Sequence, residues 1–193
     1  MTLQLTRKHN FDLVYDSQKV YRLILEAMSN PGEIVNIQEY TEKLYGDYPA
    51  LLVIALTLLD NEVSFFACDN KSLTDEIASL TLAGRESAEA ADFIFVSDLG
   101  CMEYAIESAK CGTLTDPHKS ATIIILNDIE PALELKLRGP GIDGYAILQS
   151  SMTVNDAIVI RNAQDYEYPQ GIDMLFVSST GAMQAVPRLV HIS

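Results

Sequence analysis

Ala121-Thr122-Ile123-Ile124-Ile125-Leu126 sets three isoleucines side by side with no polar alternation. A run of this kind reads as a central strand covered on both faces. Two similar runs precede it, Val63-Ser64-Phe65-Phe66-Ala67 and Asp92-Phe93-Ile94-Phe95-Val96. Between them lie helix-like segments: Ser72 to Ala83, opened by Ser72 and closed by Gly84, and Met102 to Cys111, ended by Gly112. Upstream, Pro49 to Asp60 is apolar nearly all round and reads as a deeply buried helix. Glu33-Ile34-Val35-Asn36-Ile37 reads as a short strand. Asp16 to Asn30 places Val20, Leu23, Ile24, Ala27 and Met28 on one helical face, with Asp16 or Ser17 available to cap it and Pro31-Gly32 to stop it.

Downstream of the isoleucine run the pattern changes. Ala132-Leu133-Glu134-Leu135-Lys136-Leu137-Arg138 alternates apolar and polar residues, as a half-buried strand does. Gly139-Pro140-Gly141 makes a turn, a helix is expected around Asn155–Asn162, and Met174–Ser178 with Ala182–Pro187 form a hairpin across Ser179-Thr180-Gly181. Alternating strands and helices followed by a strand-rich end predict an α/β fold. We expect a single domain over residues 1–193, a mixed β-sheet flanked by helices on both faces.

Composition narrows the function classes. Lys plus Arg number 13 against 27 for Asp plus Glu, a formal charge of −14 over 193 residues. Such a chain repels a phosphate backbone at long range, so no nucleic-acid partner is expected. A locally basic pocket for a small anion remains compatible with that charge. The longest apolar run, Ala50–Leu59, is about half of what a membrane span needs, so no membrane partner is expected either. Residues 1–15 hold no apolar run like that of a secretory leader, and Cys68, Cys101 and Cys111 form no C-x-x-C pair. Both features predict a cytoplasmic protein with free thiols, Cys68 and Cys111 buried as small core residues.

The search for known chemistry excludes several classes. There is no Walker A loop, no G-x-S-x-G elbow and no lysine cluster suited to pyridoxal phosphate. The histidines His9, His118 and His191 match no zinc spacing, so no metal and no cofactor are expected. Gly139-Pro140-Gly141-Ile142-Asp143-Gly144 formally matches G-x-G-x-x-G, but no helix start follows it, so it reads as a turn. A catalytic thiol at Cys111 would need a base such as His118, and sequence proximity alone does not supply one. Four charged residues stand out: Arg22 off the apolar stripe of its helix, Asp60 at the end of the buried helix, Asp173 entering the hairpin and Arg188 leaving it. Each also has a plain structural reading, as a turn acceptor, a solvated group, or an Asp–Arg pair between strand ends.

Several segments together resemble a known family. Tyr21-Arg22-Leu23-Ile24-Leu25-Glu26-Ala27-Met28-Ser29-Asn30-Pro31-Gly32 is similar to the F-R-x-L-L-x-A-M-S-x-P-G segment of the PhnH family, one component of the bacterial carbon–phosphorus lyase system. Leu56-Thr57-Leu58-Leu59-Asp60, Cys111-Gly112-Thr113, Arg138-Gly139-Pro140-Gly141-Ile142, Tyr168-Pro169-Gln170-Gly171-Ile172-Asp173 and Val186-Pro187-Arg188 follow in the family's order. The departures are Tyr21 for Phe, Gln170 for Leu, and Leu189-Val190 where Thr-Thr is familiar.

The resemblance implies a fold like the large domain of pyridoxal-phosphate-dependent transferases without their cofactor site. It also implies a homodimer and a complex with subunits G, I and J that degrades alkylphosphonates. Together with subunits G, I and L, the family is associated with transfer of the ribosyl triphosphate of ATP onto a phosphonate. On this reading the chain is an accessory or structural subunit and carries no catalytic residue. The alternative is direct binding of phosphonate or nucleotide phosphate, with Arg22 and Arg188 as cationic donors and Asp60 or Asp173 orienting them or contacting a ribose hydroxyl.

Overall fold

The computed structural model describes residues 9–128 and 132–192. Residues 1–8, part of the segment read above as lacking a leader-like run, lie outside them. The helices are α1 (Tyr15–Ser29), α2 (Gln38–Thr41), α3 (Pro49–Leu58), α4 (Lys71–Thr81), α5 (Met102–Ser108) and α6 (Met152–Ala163). The strands are β1 (Val35–Asn36), β2 (Ser64–Ala67), β3 (Gly84–Arg85), β4 (Phe93–Val96), β5 (Thr122–Leu126), β6 (Leu133–Arg138), β7 (Ala146–Ser150), β8 (Asp173–Val177), β9 (Ala182–Val186) and β10 (His191–Ile192).

Seven strands form one mixed sheet in the order β1-β9-β8-β5-β4-β2-β3. The isoleucine strand β5 lies at its centre, parallel to β4 on one side and to β8 on the other. Successive residues of β5 alternate between two cores, as the two-residue period of a strand requires. Ile124 packs with Leu175, Phe95, Leu51 and Ile24 beneath α1, α3 and α4. Ile123 and Ile125 pack with Met174, Phe176, Ile106 and Ile158 beneath α5 and α6. The sheet is thus mixed and has helices on both faces. Its interior helix α3 buries Ala50 to Ala55 without a break, which its uniform apolarity anticipates.

The alternating segment 132–138 does not join this sheet. It forms β6 of a separate antiparallel sheet, β10-β6-β7, in which Leu137 and Leu148 cover the α5/α6 core and Glu134 faces solvent. Strands β7 and β10 were not expected from the sequence. β7 (AILQS) follows the glycine-rich turn with no regular apolar–polar alternation, and β10 is a two-residue pairing, too little for a period to register. The G-x-G-x-x-G match is the hairpin loop between β6 and β7. Gly141 (φ 82°) and Gly144 (φ 77°) take up left-handed backbone there, and no helix follows.

Capping differs from expectation in three helices. At α1, Asp12 rather than Asp16 or Ser17 accepts the opening amides, those of Val14 (2.8 Å) and Tyr15 (2.9 Å). The Asp16 carboxylate instead turns back to the Asp12 amide and to Lys43 Nζ, 2.8 Å away. Burial works against its charge, but these contacts outweigh it and hold the carboxyl below its ordinary value. At α4 the cap is Asn70, whose Oδ1 accepts from Leu73 N, and the helix closes on left-handed Leu82, freeing Gly84 for β3. α5 ends at Ser108, three residues early, because Lys110 leaves to pair with Asp92 at 2.6 Å.

The cysteines also differ. Cys68, after β2, and Cys101, in the turn after β4, are joined by a disulfide with a Cα separation of 6.1 Å. Parallel neighbouring strands bring together residues that sequence spacing keeps apart. Cys111 is free and half-buried in a loop rather than in a helix. Among the described residues no helix is long and apolar enough to cross a membrane.

Candidate functional site

Two clefts occupy opposite ends of the large sheet. At the carboxyl ends of β4, β5 and β8 lies a crevice of about 560 Å³, lined by Ser97, Asn127, Asp128, Ser151, Thr153 and Ser179. This is the end at which open α/β sheets hold ligands. Ser151 caps α6 by accepting from Val154 N and also accepts from Asn127 Nδ2 at 2.8 Å. Asp128 is tied to the Ser179 backbone and hydroxyl. The lining offers hydroxyls, an amide and one carboxylate, with no cationic side chain among the described residues.

The cationic residues gather at the amino end of β8, in a cleft of about 250 Å³ lined by Arg161, Asn162, Tyr166, Tyr168, Arg188 and His191 among others. Of the four residues singled out in the sequence, the fold brings two together here. Asp173, the first residue of β8, is buried. Its Oδ1 accepts the Arg188 backbone N–H at 2.8 Å and Nε at 3.4 Å, and its Oδ2 accepts Nη2 at 2.6 Å. The Arg188 Nη1 also donates to the Pro117 carbonyl. The antiparallel pairing of β8 with β9 forces this meeting, since Met174 lies opposite Val186 and the residues flanking that pair converge. The pair is therefore of the structural kind anticipated for an Asp and an Arg at strand ends. Two of the guanidinium's five N–H groups have no partner among the described residues.

Arg22 and Asp60 do not join this site. Arg22 is exposed on the outer face of α1, and Asp60 is exposed in the turn after α3, where its Oδ1 accepts the Glu62 amide at 2.8 Å. Cys111 points its thiol at the Gly112 carbonyl, 3.6 Å away, while His118 lies 3.9 Å from Asp116. No base stands against the thiol among the described residues. Nor is any group of three His, Cys, Asp or Glu among them placed to hold a metal ion.

Arg161 is the residue that the sequence reading missed. Only 2% of it is exposed, and all five of its N–H groups are engaged. Nη1 donates to the Val186 (3.2 Å) and Pro187 (3.1 Å) carbonyls, Nη2 to the Val190 carbonyl and Asn162 Oδ1, and Nε to Asn162 Oδ1. Burial pushes the guanidinium down to about 10, with Asp173 pulling the other way, so it stays charged at neutral pH. The sequence did hold a signal. Val154, Ala157, Ile158 and Arg161 fall at i, i+3, i+4 and i+7, which sets a cation on the buried stripe of α6. Beside it, burial pushes the Tyr166 phenol up to about 12, so that its O–H remains a donor.

Comparison with known proteins agrees with the family resemblance. Residues 9–193 match the family described as "Bacterial phosphonate metabolism protein (PhnH)". The chain is 26% identical over 177 residues to a protein of Stutzerimonas stutzeri named "Putative C-P lyase subunit protein HtxG", covering 91% of this chain and 85% of the relative. It is 24% identical over 182 residues to "Alpha-D-ribose 1-methylphosphonate 5-triphosphate synthase subunit PhnH" of Rhizobium meliloti (strain 1021), covering 92% and 90% respectively.

Proposed function

Because the chain belongs to the PhnH family of bacterial phosphonate metabolism proteins, we propose that it works as a subunit of a carbon–phosphorus lyase complex. The observation that carries this reading is a family match running from His9 to the end of the chain, joined by two relatives whose names designate subunits of such systems. Its role is accessory to the transfer of the ribosyl triphosphate of ATP onto a phosphonate. The proposed partners are a second copy of this chain and subunits G, I and J, with L taking part in the transfer step. The proposed compartment is the cytoplasm, a reading that rests on the family's role, since the Cys68–Cys101 disulfide removes the free-thiol argument for it. Within the fold, the proposed likeness is to the large domain of pyridoxal-phosphate-dependent transferases. The mixed sheet with helices on both faces supports it.

A docking role draws support from the outer face of α1. Val14, Tyr21 and Leu25 recur there at i, i+7 and i+11 and are all exposed, with Tyr15 beside them. Arg22 stands on the same exposed side, which suits a contact with a partner subunit better than a contact with a small ligand. Deleting the gene in its host is expected to abolish growth on methylphosphonate as sole phosphorus source and to leave growth on inorganic phosphate intact. Unimpaired growth on the phosphonate would overturn the reading.

A further inference from the structure

The cleft beneath Arg188 holds a charge imbalance that its structural role does not account for. Two guanidiniums, Arg161 and Arg188, share one buried carboxylate, Asp173. The one carboxylate that lines the cleft itself, Asp165, is exposed and screened by water. Arg161 has spent every donor on carbonyl and amide oxygens, so it contributes a fixed positive charge and no further hydrogen bond. Arg188 is different. Its side chain is 22% exposed and keeps two N–H groups unpaired among the described residues. Tyr166 adds a half-buried phenolic O–H and His191 an exposed imidazole on the same cleft. Neither side chain has a hydrogen-bond partner among the described residues.

We propose that this cleft binds a small tetrahedral phosphorus oxyanion, phosphate or an alkylphosphonate head group. Arg188 and Tyr166 are its donors, His191 adds a donor at the rim, and Arg161 is the buried charge behind them. An oxyanion supplies the missing negative charge and accepts the guanidinium N–H groups in the geometry they favour. At about 250 Å³ the cleft lies below the range of about 300–1,000 Å³ typical of sites for larger organic ligands, which favours a head group over a whole nucleotide. The inference deepens the phosphonate reading, on which only the choice of alkylphosphonate rests; the charge balance and the free donors stand without it.

The test is calorimetric titration of the full chain, at low ionic strength, with methylphosphonate and separately with inorganic phosphate. Saturable binding of either ligand at one site per chain is the expected result. Phosphate alone would mark a phosphate site, and methylphosphonate alone or with phosphate would mark a site for the pathway's substrate. Arg188→Lys keeps the charge and loses the fork, and should weaken binding by about tenfold. Tyr166→Phe should weaken it by a few-fold without touching the Asp173 pair, which keeps the test valid if the Arg188 variant folds poorly. Thr153→Ala, in the crevice at the other end of the sheet, should leave binding unchanged. No saturation by either ligand up to about 10 mM, or binding undiminished in both Arg188→Lys and Tyr166→Phe, would overturn the proposal. Neither titration involves a partner subunit, so failure here leaves the complex reading intact, and failure of the growth test leaves a measured affinity standing.

Discussion

Arg161→Met lowers the stability of the protein by about 2–4 kcal/mol, read as a drop in the urea midpoint at constant slope. Two effects oppose one another. Methionine relieves the cost of holding a cation in the interior, and replacement of buried charges by apolar groups can be neutral or stabilising for that reason. Against this, the carbonyls of Val186, Pro187 and Val190 lose the donors that draw the chain leaving β9 onto α6. A buried acceptor left without a partner costs about 1–3 kcal/mol. The Pro187 carbonyl keeps a second donor in the Val190 amide and the Val186 carbonyl keeps its place in the β8–β9 ladder, so the loss falls mainly on the Val190 carbonyl. The sum still exceeds the relief, because Met has no donor to offer any of the three oxygens. Arg161→Lys should lie between wild type and Met, since one ammonium spans fewer carbonyls. An unchanged midpoint in the Met variant would show that desolvation cancels the clamp.

Asp173→Ala costs about 2–3 kcal/mol, and Arg188→Ala a similar amount, yet the double variant loses clearly less than the sum. Asp173 is the sole carboxylate contacting Arg188 among the described residues, and it also accepts the Arg188 backbone amide, so its removal strands both a guanidinium and an N–H. With both side chains gone only the amide is stranded. A coupling of about 1.5–3 kcal/mol in the double-mutant cycle is therefore expected in the absence of ligand. Simple additivity would mean that the two side chains do not pair in solution. Phosphate added to the wild-type chain should raise its unfolding midpoint, whereas the variants lacking Arg188 should not respond.

The elements that were legible in the sequence are those with long periods or uniform apolarity. The stripe of Val20, Ile24 and Ala27 placed α1, and the runs at 63–67, 92–96 and 121–126 placed three parallel neighbours of the sheet. What stayed hidden depends on contacts distant in sequence. Asp12 displaces Asp16 as the cap of α1 because Lys43, on the far side of α2, claims the Asp16 carboxylate. β7 and β10 are held by pairing with β6; β7 shows no regular alternation of its own, and β10 has only two residues. Cys68 and Cys101 meet only because β2 and β4 run side by side.

The site divides in the same way. The Asp173–Arg188 pair was legible as an Asp and an Arg at the two ends of a hairpin, whose register is local. Arg161 was not singled out, although its place on the apolar stripe of α6 held the clue. Its role depends on the chain after β9 folding back onto α6, which no local pattern states. Arg22 and Asp60 came forward as charged residues beside apolar helical stretches, and the fold leaves both exposed and away from the cationic cleft.

The central claim is membership of a carbon–phosphorus lyase complex. It is tested most directly by native mass spectrometry of the tagged full chain, purified from its own host growing on a phosphonate as sole phosphorus source. The account predicts an assembly that contains this chain together with subunits G, I and J. Recovery of the chain alone, as monomer or homodimer, from cells that express those subunits would contradict it.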